Sequence, residues 1–374
     1  MTGIFIVDYA RSPFTQAYKG ALAGTRPDDL AATVVKTLVG RQKFDPAEFE
    51  DLILGCAFPE GEQGLNLARI VGQIAGLPNS VGGGTINRWC GSSMNAIGIA
   101  AGAIKLGAGE AVIAAGVESM SRVPMMGFNP LPNPAWSATT VSAFLNMGLT
   151  AENLVARYKL DRDTQDNFAM NSHHKAAAAR ADGRLAAEIV AVNGVEQDGL
   201  IRPESSVEKL GTLKPAFLAG GSVTAGNSSP LTDGALAVIV ASESFVKRHN
   251  LTPLAQIRSF AVSGCAPEVM GIGPVEATRK ALSRASIKAA DLDVIEMNEA
   301  FAAQVLSCCA DLDVDPARLN RDGGAIALGH PLGGTGARLV GKASMVLKRD
   351  GGRYGLATQC IGGGQGISMI VEAA

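Results

Sequence analysis

Short apolar runs alternate along the chain with segments whose apolar residues recur every three to four positions. Ile4–Val7, Asp51–Leu54 and Ala111–Gly116 read as strands, and Asp28–Val39, Asn66–Ala75 and Ser93–Leu106 as amphipathic helices. The same alternation resumes after about Leu231. Strands are predicted at Ala235–Val240, Ala255–Val262, Val294–Met297, Gly355–Ala357 and Gly366–Val371, with helices at Val275–Ser286, Ala300–Ala310 and Thr335–Leu347 between them. Strand and helix in alternation predict an α/β layered fold with a largely parallel sheet. The stretch from about Met120 to Pro230 breaks the pattern. It opens with a Pro/Asn/Met-rich run, M-M-G-F-N-P-L-P-N-P-A-W, and continues into polar helices such as Asp163–Ala181, which reads as an insertion packed on the layered core.

A faint repeat accompanies this. A shift of 240 residues superposes Cys90 on His330 and Ile86 on Ile326, each in a glycine-rich strand-to-helix turn. Two related halves facing one another would bring those turns together.

Composition narrows the function. At 374 residues the chain exceeds one ordinary core, so two or three packed units are expected. A net charge of −2 with no basic run speaks against nucleic acid or an anionic membrane surface as partner. Six cysteines (Cys56, Cys90, Cys265, Cys308, Cys309, Cys360) show no C-x-x-C spacing. With an N-terminus that reads directly as a strand, they fit a reduced, cytoplasmic setting, with the cysteines used for packing or chemistry rather than disulfides. No uninterrupted apolar run reaches membrane-spanning length. The C-terminal E-A-A is no peroxisomal address.

Three residues carry candidate chemistry. Cys90, in G-G-G-T-I-N-R-W-C-G-S-S-M-N-A, is predicted at the start of a helix, where unpaired N–H groups and the helix dipole favour a thiolate. A free cysteine is more often a small buried hydrophobe. Here, polar and small neighbours (Asn87, Arg88, Gly91, Ser92, Ser93) favour the nucleophile. His330 lies in G-G-A-I-A-L-G-H-P-L-G-G-T-G, an apolar stretch followed by a glycine turn that can present a base. His173, His174 and His249 are expected in exposed helical stretches. Cys360 precedes three glycines in T-Q-C-I-G-G-G-Q-G. It reads either as a strand-end packing residue or as a second proton carrier beside an oxyanion site made of backbone N–H groups. Asn298, in N-E-A-F-A, reads as a site residue or simply as a helix N-cap. V-T-A-G-N-S-S (Val223–Ser229) reads as part of a site or as an ordinary loop. The other four cysteines read as structural.

Taken together, N-R-W-C-G-S-S-M, E-S-M-S-R-V-P-M, V-T-A-G-N-S-S, M-N-E-A-F-A, G-G-A-I-A-L-G-H-P-L-G and C-I-G-G-G-Q-G resemble the thiolase family in order and approximate spacing, over nearly the whole chain. The similarity points toward bacterial 3-ketoacyl-CoA thiolases of fatty-acid β-oxidation. The resemblance implies a five-layer α-β-α-β-α fold of two similar halves, residues 1–119 with 232–252 and residues 253–374, plus a loop domain at 120–231. It implies coenzyme A as co-substrate, no permanently bound cofactor, a homodimer or homotetramer, and an open question of a β-oxidation partner enzyme. By motif, Cys90 would be the acylated nucleophile. His330 would activate it and help bind the thioester oxygen, and Cys360 would move the proton at the α-carbon. Asn298 would hold a water completing one oxyanion hole, and the backbone N–H groups of Cys90 and Gly362 would form another. Ser229 and Arg202 match positions that contact coenzyme A, and Met147 and Phe301 would line the pantetheine or acyl pocket.

Two departures bear on substrate. Asn146 stands where biosynthetic acetoacetyl-CoA thiolases typically carry histidine, and Ser93 where they usually carry glycine; both point away from an enzyme restricted to acetoacetyl-CoA. Met125, Met126, Phe128, Phe144 and Met147 are candidates for an adaptable apolar tunnel, or for the mere core of the insertion. The rival readings are a biosynthetic acetoacetyl-CoA thiolase (acetyl-CoA C-acetyltransferase), a ketoacyl synthase, a cysteine hydrolase, and a non-catalytic thiolase-like lipid carrier. Synthases on the related fold typically pair the cysteine with two histidines. A hydrolase needs no second cysteine, and a carrier is expected to lack one of Cys90, His330 or Cys360.

Overall fold

The computed structural model describes residues 3–133, Ser142 and residues 145–374. Phe144 therefore lies outside the described residues, as does part of the Pro/Asn/Met-rich run.

Among the described residues ten strands form one sheet: β1 (Ile4–Arg11), β2 (Thr15–Gln16), β3 (Asp51–Gly55), β4 (Gly84–Ile86), β5 (Ala111–Ser119), β6 (Thr232–Ser242), β7 (Ala255–Gly264), β8 (Val294–Met297), β9 (Tyr354–Ile361) and β10 (Gln365–Ala373). Their order is β4-β3-β5-β6-β1-β7-β10-β9-β8, with β2 beside β6. The sheet joins its two halves at a short contact, Phe5 opposite Gln256 and Ile6 opposite Ala255.

Each half repeats one pairing scheme. In the first, β3 runs parallel to β5, which is antiparallel to β6, which is antiparallel to β1. In the second, β8, β9, β10 and β7 follow the same sequence of directions. The expectation of two similar halves holds, but that of a largely parallel sheet does not. Only β3 with its neighbours β4 and β5, and β8 with β9, are parallel. The physical reason is visible at Gly362–Gly364: a connection that short can join only antiparallel strands, because a parallel pair needs a long crossover.

Three apolar clusters show the layering. One lies outside the first half-sheet, under the helix Pro27–Gly40 and the helix Leu67–Ile74. A second lies between the half-sheets, around Ser92–Lys105 and Thr335–Asp350. The third lies outside the second half-sheet, under Gly273–Ala285 and Ala302–Leu312. Helices, half-sheet, helices, half-sheet, helices make the expected five layers. β5 and β6 are buried along their whole length, so their patterns are continuous apolar runs rather than alternating ones.

The central pair of helices positions the site. Ser93 N–H donates to the Gly333 carbonyl (3.0 Å), its hydroxyl donates to the Gly334 carbonyl (2.7 Å), and the Ala337 N–H returns to Ser93 Oγ (2.9 Å). Ser93 and Gly333 each stand three residues beyond Cys90 and His330. The two halves are therefore laced together right beside both reactive turns. Ser93 is fully buried in this contact and does not face the cavity described below, so its bearing on substrate choice finds no direct contact.

Candidate active site

Cys90 follows a strained turn. Trp89 takes φ = 43°, a left-handed conformation costly for a non-glycine residue. It is held there by its N–H on Asn87 Oδ1 (2.7 Å) and by the Ser92 hydroxyl donating to its carbonyl (2.6 Å). The turn leaves Cys90 just ahead of the helix Ser92–Lys105. Across from it, the β9–β10 turn needs its glycines: Gly363 has φ = 75°, and a Cβ there would sit 2.4 Å from the Trp89 ring. The backbone N–H groups of Gly362 and of Cys90 itself act on the Cys90 sulfur to favour its charged form. The Gln359 side-chain amide holds the Cys90 carbonyl from β9.

The helix start favours a thiolate, and burial works against it. Burial pushes the Cys90 thiol up to about 11; the Gly362 N–H lowers it and the nearby Glu118 carboxylate raises it. Burial also raises Cys360 far above the ordinary thiol value, with the Cys90 sulfur adding to it. Both sulfurs therefore carry their protons until something removes them.

His330 is the group placed to do so. Its Nδ1 lies 2.5 Å from Thr335 Oγ1, and that hydroxyl donates its own proton to the Pro331 carbonyl (3.0 Å). The hydroxyl must then accept from Nδ1–H, which leaves the Nε2 lone pair free as a base. Nε2 sits 3.3 Å from Asn298 Nδ2, a donor. Burial, and after it the Arg338 cation, lowers the imidazole to about 3, so it is neutral at rest. Asn298 is fully buried, and its Oδ1 has no partner among the described residues. It is not a helix cap: the N-cap of Ala302–Leu312 is Phe301.

Cys90, His330, Cys360 and Gly362 open onto one cavity of about 380 Å³. Ser229, Met147 and Phe301 line it, as do Asn146, Met125 and Met126. Asn146 also caps the helix Met147–Tyr158 through Gly148 N (2.9 Å). Among the described lining residues there is no lysine, arginine, aspartate or glutamate.

Two expectations fail here, and Arg202 stands apart from the cavity without bearing on whether it contacts coenzyme A. Arg202 is exposed and does not line the cavity; its backbone N–H donates to Nδ1 of His173 (3.2 Å). His173, expected on an exposed face, is buried. Phe128 is 60% exposed and lies over Gly61 instead of in the cavity. Sequence reasoning gave no role to Thr335, Gln359 or Glu118. Glu118 lay in a quoted motif, E-S-M-S, but nothing local marks it as buried beside the site.

Residues 4–244 match the thiolase N-terminal domain and residues 251–373 the thiolase C-terminal domain. The chain belongs to the thiolase family, a class of acyltransferases. It is 44% identical to a 3-ketoacyl-CoA thiolase of Bacillus subtilis (strain 168), covering 98% of each chain. It is 46% identical to a β-ketoadipyl-CoA thiolase of Escherichia coli over the full length of both. The crystal structure of human mitochondrial 3-ketoacyl-CoA thiolase in complex with CoA superposes with a TM-score of 0.92 at 39% identity, covering 100% of this chain and 98% of that one.

Proposed function

We propose that the protein is a 3-ketoacyl-CoA thiolase that cleaves a 3-ketoacyl-CoA with an uncharged acyl chain, using coenzyme A and yielding acetyl-CoA and an acyl-CoA two carbons shorter. The observation that carries the reading is the meeting of two protonated thiols and one neutral imidazole with a free Nε2 in a single apolar cavity. Nε2 of His330 takes the Cys90 proton as the sulfur attacks the 3-keto carbon. The N–H groups of Gly362 and Cys90 receive the oxygen that becomes negative on that carbon. When the C2–C3 bond breaks, charge moves to the thioester oxygen of the departing acetyl-CoA, next to Asn298 and His330. Cys360 gives its proton to C2, and acetyl-CoA leaves. The thiol of coenzyme A then returns a proton to Cys360 and attacks the acyl group, and Cys90 leaves, recovering its proton from His330. Ser229, Met147 and Phe301 contact the pantetheine arm or the acyl chain.

Lining without fixed charge supports an apolar acyl chain over one ending in a carboxylate, which would be buried unpaired. It also separates this reading from that of the β-ketoadipyl relative. The division into 1–119 with 232–252, 120–231 and 253–374, a homodimer or homotetramer, a cytoplasmic setting and a role in β-oxidation belong to the same proposal. No helix among the described residues is long and apolar enough to cross a membrane. The test compares loss of 3-ketoacyl-CoA with and without coenzyme A. Acetyl-CoA formed only with coenzyme A supports thiolysis, and release of free acid in its absence would make the protein a hydrolase.

A further inference from the structure

Glu118, at the end of β5, is a fully buried carboxylate to which the surrounding groups only donate. Oε2 accepts from Ala57 N–H (2.8 Å) and Gly333 N–H (2.8 Å). Oε1 accepts from the Gln63 side chain (2.8 Å), Phe58 N–H (3.3 Å) and the Cys56 thiol (3.7 Å). It forms no ion pair among the described residues. Burial raises its pKa, against the pull of these donors. A protonated carboxyl or an amide would turn a donor toward a donor here, so the site is built for the carboxylate.

The donors come from both reactive turns. The Ala57 carbonyl accepts from Asn87 Nδ2 (3.0 Å), and Asn87 Oδ1 holds the N–H of Trp89, next to Cys90. On the other side, Gly333 follows His330 by three residues. It has no room for a side chain, since a Cβ would lie 2.6 Å from Ala57 N and 2.8 Å from Glu118 Oε2. One carboxylate thus ties the turn of the nucleophile to the turn of the base, across the junction of the two halves.

We propose that Glu118 is a positioning residue that fixes the separation of Cys90 and His330. The proposal rests on the acyl-cysteine reading above. Glu118 does not line the cavity, so its loss changes turnover and not substrate affinity. Its charge gives a second signature. Desolvation does most to keep the proton on the Cys90 sulfur, the Gly362 N–H opposes it, and the Glu118 carboxylate from β5 adds to it; the Cys360 thiol and the neutral His330 share the cavity with Cys90.

The experiment uses full-length wild type, Glu118→Gln and Asn87→Ala. It measures thiolysis kcat and KM, the pH midpoint of Cys90 alkylation by iodoacetamide, and the acyl-labelled peptide. Misplacement of the pair lowers kcat of Glu118→Gln by about a hundredfold with KM within about twofold. The alkylation midpoint moves to lower pH, so the thiol reacts more readily while the enzyme turns over less; a purely structural role does not give that pair. Asn87 is exposed, so Asn87→Ala tests the relay without touching a buried charge. It lowers kcat on the order of tenfold and leaves the alkylation midpoint in place. Wild-type turnover in Asn87→Ala, or in a folded Glu118→Gln, overturns the proposal, as does an unmoved midpoint in folded Glu118→Gln. A label away from Cys90 in wild type overturns the acyl-cysteine reading and this proposal with it. A label on Cys90 with undiminished variant turnover overturns this proposal alone.

Discussion

The Nδ2 of Asn298 lies 3.3 Å from Nε2 of His330, the one imidazole nitrogen left with a lone pair. A donor so placed steadies the neutral base at rest and turns toward negative charge when the base becomes cationic. Asn298→Ala should lower thiolysis kcat by roughly a hundredfold to a thousandfold, the usual worth of one oxyanion donor. KM should change little. Stopped-flow or steady-state kinetics checks this, and a loss confined to KM would assign Asn298 to binding instead.

Thr335 sets the tautomer of that base. Thr335→Val keeps the volume and removes the only acceptor for Nδ1–H among the described residues. The imidazole can then carry its proton on Nε2, where it is useless as a base. A fall in kcat on the order of tenfold to a hundredfold is expected. Unaltered kcat would show that the tautomer is held by something else.

The pH profile follows from burial. His330 is lowered to about 3, so it is neutral and base-competent above that value and lost only below it. Its titration should leave no step in kcat/KM between about pH 8 and about pH 5, where an unperturbed imidazole would titrate near 6.5. Cys90, pushed up to about 11, should show alkylation by iodoacetamide that keeps rising past about pH 9. A plateau already reached near neutrality would restore the resting thiolate.

Cys360 keeps its proton, which suits a group that must give one to carbon. Cys360→Ala should lose C–C cleavage by at least about a hundredfold. It should still accept an acyl group on Cys90 from a simple acyl-CoA. Cleavage of 3-ketoacyl-CoA at the wild-type rate would remove Cys360 from the mechanism.

An apolar cavity lined by Met125, Met126 and Met147 favours chains longer than acetoacetyl. Each methylene it buries contributes about 0.8 kcal/mol. The kcat/KM ratio of the C8 over the C4 3-ketoacyl-CoA should exceed one until the cavity is filled, and 3-oxoadipyl-CoA should be a poor substrate. A C4 optimum by a wide margin would move the acetoacetyl-CoA alternative ahead.

Much of this was legible in the chain because the pattern is local. Short apolar runs and period-3.6 patterns placed most strands and helices within a few residues. Val294–Met297 coincides with β8, while Ile4–Val7 stops short of Arg11, since charge at Asp8 and Arg11 masks a strand that burial continues. Strand direction was not legible, because it depends on which edges meet rather than on any one run. The site divides the same way. Glycine turns announced Cys90, His330 and Cys360. Glu118 and Thr335 act through partners more than fifty residues away or through a proton on a ring nitrogen, and neither leaves a mark in sequence. The helix-start argument for a Cys90 thiolate counted only the backbone donors, whereas desolvation of the half-buried sulfur pushes the thiol the other way.

The central claim is that Cys90 carries the acyl group. Wild-type enzyme mixed with a 3-ketoacyl-CoA and no free coenzyme A, quenched in acid and digested, should show by mass spectrometry one peptide heavier by the shortened acyl chain, modified at Cys90, with acetyl-CoA released in equal amount. Acylation at Cys360 instead, or acetyl-CoA released with no acylated peptide, would contradict it.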